Sequence, residues 1–111
     1  MSKRKKAIRE NFRRSVFERD SWMCRVCGFF LLPKFQVVDT TALDAHHITD
    51  RTLVVNGGYV KENGITLCEP CHFQAECFNR TGVAAAGYEP ETLYKLIDSS
   101  FELATEKAKL K

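Results

Sequence analysis

Two Cys-x-x-Cys pairs, Cys24-Arg25-Val26-Cys27 and Cys68-Glu69-Pro70-Cys71, enclose a histidine doublet, His46-His47, and His72 directly follows the last cysteine. Four thiols in two close pairs are the ligand set of a structural Zn²⁺, which takes sulfur in a closed tetrahedron. Imidazole accepts protons near neutral pH and also ligates cations. The three histidines are all that the chain has. The economical reading is two metals. One is a zinc on Cys24, Cys27, Cys68 and Cys71 that folds the domain; the other does chemistry on something anionic. Cys77 lies outside the pairs and is expected to be a small buried apolar residue.

Charge narrows the partner. Residues 1–19 carry Lys3, Arg4, Lys5, Lys6, Arg9, Arg13, Arg14 and Arg19 against Glu10 and Glu18, in a chain whose formal net charge is +3. Such a segment suits a phosphate backbone. A solvated arm, a nuclear-import signal and an organelle-targeting helix would carry the same charges. There is no apolar run of 18 or more residues and no apolar core of a secretory signal, so no membrane partner is expected. A reducing, cytoplasmic setting is expected instead, where cysteines bind metal rather than form disulfides.

These residues need elements to position them. The 111 residues make one domain, small enough to benefit from a metal staple. A basic arm and helix occupy 1–20, the metal-bearing core 21–80, and a helical extension 88–111. From Ala7 to Arg19, Ile8, Phe12, Val16 and Phe17 form one apolar stripe. Gly28 closes the first cysteine turn, and Phe29 to Val38 is an irregular connection or edge strand. Thr41 to Ile48 reads as a strand ending in the doublet, Thr49 to Asn63 as a polar loop, and Ile65 to Leu67 as a short returning strand. Pro70 suits the first turn of a helix on which Glu76 is the i+4 partner of His72. One last helix opens at Pro90, with Leu93, Ile97, Phe101, Ala104 and Ala108 as its apolar repeat. Neighbouring side chains on a strand face opposite ways, so His46 and His47 should serve different parts of the site. Asp44, on the same strand face as His46, is placed to support a ligand.

In that order, Arg14 to Gly28, Asp44-Ala45-His46-His47-Ile48, and Gly57 through Asn63 to Leu67-Cys68-Glu69-Pro70-Cys71-His72 resemble the HNH endonucleases. The resemblance implies an α+β, zinc-stabilised ββα-metal fold with flanking N- and C-terminal helices. It makes His47 the general base, and His46 and His72 ligands of a catalytic divalent ion. Asn63 matches an asparagine that binds the metal in some relatives and orients the base in others. Many relatives carry a further histidine where this chain has Glu76; a carboxylate there would favour Mg²⁺ or Mn²⁺, with Ni²⁺ a further candidate.

The resemblance further implies metal-dependent DNA hydrolysis leaving 5′-phosphate and 3′-hydroxyl ends, with hairpin and helix against the minor groove. Lys3, Arg4, Lys5, Lys6, Arg9, Arg13 and Arg14 would then contact flanking phosphates. Arg51 would clamp the substrate phosphate or stay solvated. The competing reading is a catalytically inactive, zinc-stabilised nucleic-acid-binding module within a larger DNA-processing machine. Many small free-standing proteins of this family belong to phages, which suggests virus packaging or mobile-element insertion in a bacterial or phage-infected host cell.

Overall fold

The computed structural model describes residues 3–111. Met1 and Ser2, the start of the expected basic arm, lie outside the described residues. Helix α1 spans Lys3–Arg19, β1 Leu43–His47, β2 Gly64–Cys68, α2 Glu69–Thr81, α3 Pro90–Leu96 and α4 Phe101–Lys109. Short 3₁₀ turns at Pro33–Phe35, Arg51–Leu53, Val55–Gly58 and Lys61–Asn63 fill the connections. The result is an α+β fold around one antiparallel hairpin, β1 against β2, with Leu43 opposite Cys68 and His47 opposite Gly64.

Phe12, Val16 and Phe17 are buried on α1, while Ile8 of the same stripe is 39% exposed. The helix reaches the hairpin because Gly64 has no side chain: a Cβ there would meet Val16 Cγ2 at 2.5 Å and the Phe12 ring at 2.7 Å. Asp20 fixes the helix end. Its buried carboxylate accepts from the Thr66 backbone N–H at 2.9 Å and from Arg19. Leu43, Ile48, Ile65, Leu67, Leu93 and Ala104 join Phe17 in the main core, so the C-terminal helices close over the hairpin.

Two expectations change. Lys3, Arg4, Lys5 and Lys6 are no arm ahead of the helix but its first turns, since α1 begins at Lys3 rather than near Ala7. The single last helix is two helices. Asp98 takes a left-handed φ of 53°, and Ser100 restarts the chain by accepting the Leu103 N–H at its hydroxyl. The break leaves Phe101 on the surface, 45% exposed, although it belonged to the expected apolar repeat.

Candidate metal centres and adjoining cleft

The first centre stands where the α1 exit turn meets the β2–α2 junction. Cys24 and Cys27 sit on a tight turn held by Gly28 N–H to Cys24 C=O at 3.0 Å and Cys24 N–H to Phe29 C=O at 2.7 Å. Gly28 has a φ of +85°, which the turn requires. Cys68 ends β2, and Cys71 lies in the first turn of α2, where Pro70 gives up no hydrogen bond. The four sulfurs all lie within 4.8 Å of one another, with Cys27 and Cys68 3.4 Å apart. Those separations are far beyond a disulfide bond of about 2.05 Å. They approach the roughly 3.8 Å edge of a tetrahedron with Zn–S bonds of about 2.3 Å.

Burial pushes the Cys68 thiol up to about 12 and raises Cys71. Burial also opposes ionisation of Cys24, but the backbone amides of Cys27, Cys68 and Val26 outweigh it and bring that thiol down to about 7. Without a cation the cluster cannot hold several thiolates; a zinc would ionise them together. Tyr88 donates its hydroxyl to Cys71 Sγ at 3.3 Å, a supporting contact that no local motif announces.

The second centre lies in a cleft of about 320 Å³ on the other side of the hairpin end. One nitrogen each of His46 and His72 and one oxygen of Glu76 lie within 4.8 Å of one another. His46 Nδ1 is 3.1 Å from Glu76 Oε1, and His72 Nε2 is 3.3 Å from the same oxygen. Although so close to the carboxylate, the buried His46 Nδ1 has no aligned hydrogen-bond partner. Lone pairs converging without a proper hydrogen bond suit a shared cation. His72 turns its other nitrogen, Nδ1, to Asp44 Oδ2 at 3.2 Å. Its pKa is raised, first by that hydrogen bond, and Asp44 is lowered by the same contact. Glu76 is held down at about 2, chiefly by His46, and so is a full carboxylate at neutral pH. Asn79, one turn on along α2, also hydrogen-bonds Glu76 and lines the cleft.

Strand alternation separates the doublet. His46 faces α2, whereas His47 stacks on Phe12 of α1 with ring centroids 4.4 Å apart and meets the Tyr59 ring edge-on at 4.9 Å. His47 Nε2 has no hydrogen-bond partner. Burial first, then His46 and Arg51, lower the His47 pKa to about 4, so the ring is neutral in the physiological range with a lone pair to offer.

Asn63 is buried and bonded to the chain that follows the doublet. Its Oδ1 accepts from Thr49 N–H at 3.0 Å and Tyr94 O–H at 2.8 Å; its Nδ2 donates to the carbonyls of Thr49 at 3.1 Å and Gly58 at 3.3 Å. Both oxygen lone pairs are thereby engaged in hydrogen bonds. Asn63 fixes the chain where it leaves the doublet. Gly58 must be glycine beside it, since a Cβ would meet Asn63 Nδ2 at 2.7 Å.

The cations divide. Arg13 donates to the carbonyls of Val38 at 2.8 Å and Thr40 at 2.9 Å, tethering the irregular segment, and also lines the cleft. Arg9 and Arg51 converge on the Tyr59 hydroxyl and lower its pKa, Arg51 Nη1 at 3.4 Å. Arg9 and Arg51 line the cleft, Arg4 lines a neighbouring groove, and Lys3, Lys5, Lys6 and Arg14 lie on the exposed surface of α1. Cys77 is only half-buried, with Thr81 as its neighbour, because it lies on the outer side of α2.

A family model described as HNH endonuclease matches residues 24–76. That stretch is similar to the HNH endonucleases. The matched HNH segment runs from the first zinc-type cysteine to Glu76 and so contains both candidate centres. No curated protein and no solved structure matches the chain. Phe12, Tyr59, Asn79, Tyr88 and Tyr94 also contribute to the two candidate centres, each through a contact made only in three dimensions. Among the described residues no helix is long and apolar enough to cross a membrane.

Proposed function

We propose that this protein is a metal-dependent DNA endonuclease that hydrolyses phosphodiester bonds, with His47 as general base. The reading is carried by one juxtaposition. His46, His72 and Glu76 converge on a point that fits a cation, while the next residue along β1 presents a neutral imidazole whose Nε2 has no hydrogen-bond partner.

His46, His72 and Glu76 would hold a divalent ion, Mg²⁺ or Mn²⁺ being favoured by the carboxylate and Ni²⁺ accommodated by the imidazoles. When bound, such an ion supplies electrostatic stabilisation of charge on the phosphate and leaving oxygen. His47 takes the proton from the attacking water, its ring fixed by Phe12 and Tyr59. Arg9 and Arg51, gathered at the Tyr59 hydroxyl, are placed to receive a phosphate at the cleft mouth. Asp44 orients His72, Asn79 orients Glu76, and Asn63 fixes the backbone after the doublet. Cys24, Cys27, Cys68 and Cys71 would hold zinc and keep the two halves of the cleft together.

Purified protein incubated with supercoiled plasmid and Mg²⁺, Mn²⁺ or Ni²⁺ should produce relaxed circles or linear DNA, and chelation should stop it. Intact plasmid under all three ions, with DNA still bound, would mean a binding module in place of an enzyme.

A further inference from the structure

Next to the cleft lies a larger groove, of about 740 Å³, between α1, the Tyr59–Lys61 segment and the end of α4. The two spaces share a wall formed by Phe12 and Tyr59, the rings that hold His47. Arg4, Lys61, Lys107 and Lys111 line the groove against a single carboxylate, Glu62. The lining also includes apolar side chains at Ile8 and Leu110, exposed by 39% and 80%. Asn56 donates to the Ala108 carbonyl at 2.9 Å, so the end of α4 is tied down beside the groove.

We infer that this groove binds an unpaired DNA strand flanking the scissile phosphate. Duplex DNA presents phosphates and groove edges on its outside and keeps its base faces stacked within. It would use the cations and leave Ile8 and Leu110 facing nothing. A single strand uses both, with phosphates on Arg4, Lys61 and Lys107 and base faces on the apolar side chains and Tyr59. The shared wall lets that strand continue from the cleft without leaving the protein. The inference rests on the cleft being where the scissile phosphate sits, and it gives the C-terminal helix a part in choosing substrate: DNA with an unpaired segment beside the cut.

The test uses the full, zinc-loaded chain without added divalent ion and fluorescence anisotropy, so it does not depend on cleavage. The probes are a blunt duplex and the same duplex with a short unpaired oligothymidine tail. The parental protein should prefer the tailed probe by about tenfold or more, the effect of one stacked base. Lys61→Gln/Lys107→Gln should remove most of that preference. It should also reduce the slope of log affinity against log salt for the tailed probe by up to about 1.4, at roughly 0.7 per lost contact. Lys34→Gln/Lys95→Gln, with the same charge change away from the groove, should keep the preference. Equal parental affinity for both probes, or a double groove variant that retains the full preference, would overturn the inference. So would loss of the preference in the control pair. Tail preference without cleavage in any metal would instead leave the groove standing and reject the endonuclease reading.

Discussion

The two candidate metal centres are attached to the same hairpin yet differ in almost every physical respect. One gathers four sulfurs, three of the cysteines buried, from a tight turn and the β2–α2 junction. The other gathers two imidazole nitrogens and a carboxylate oxygen along an open cleft, on α2 and β1. Four thiolates complete a zinc's coordination and leave no position for substrate, whereas three nitrogen and oxygen donors leave room for water and phosphate. On the proposed reading the first holds the fold and the second does chemistry. Their supports differ accordingly. Backbone amides and the Tyr88 hydroxyl serve the sulfurs, while carboxylate and amide side chains of Asp44 and Asn79 serve the open site.

The comparison breaks most visibly at the sulfurs. Cys24→Ser or Cys71→Ser should unfold or insolubilise the protein, because structural zinc binding contributes about 10–16 kcal/mol in small domains. A soluble variant with parental circular dichroism and parental zinc content would erase the distinction. At the open site the expected pattern is reversed. His46→Ala or His72→Ala should leave zinc content and fold in place, lose the divalent ion by calorimetry, and recover part of their cleavage in excess metal.

Asn63→Ala sharpens the boundary between holding and reacting. It strands the Thr49 amide and the carbonyls of Thr49 and Gly58, so a loss of about 3 kcal/mol in denaturant stability is expected. Binding of the divalent ion by the folded fraction should be unchanged, because both lone pairs of the asparagine oxygen are engaged by Thr49 and Tyr94. The smallest effect is spectroscopic. In zinc-loaded protein lacking the second ion, NMR should show His72 titrating above the ordinary value of 6.5 and His47 near 4. Lowering pH from neutral should therefore protonate His72 first, with His47 keeping its free lone pair until far more acid. A His47 that titrates with His72 would remove the distinction between ligand face and base face.

Much of this was legible because it is local. Metal-ligand spacing marks Cys24, Cys27, Cys68 and Cys71, strand alternation separates His46 from His47, and helical spacing sets Glu76 below His72. What stayed hidden depends on distant partners. The break at Asp98 and Ser100 interrupts an apolar periodicity that reads as continuous, through a left-handed φ at Asp98 and a hydroxyl cap at Ser100. Arg13 looks like its basic neighbours until the carbonyls of Val38 and Thr40 arrive beside it. Asn63 carried two meanings, and its bonds to Thr49, Gly58 and Tyr94 form only in the fold.

The central claim is that His47 acts on water while its neighbours hold the ion. The most direct test is the DNA cleavage rate of His47→Ala under saturating divalent ion, with ion binding measured on the same preparation. Loss of a general base should lower the rate by about 10²–10⁴ with ion affinity and zinc content at parental values. Cleavage at the parental rate, or a His47→Ala protein that has lost the ion while His46→Ala retains it, would contradict the assignment.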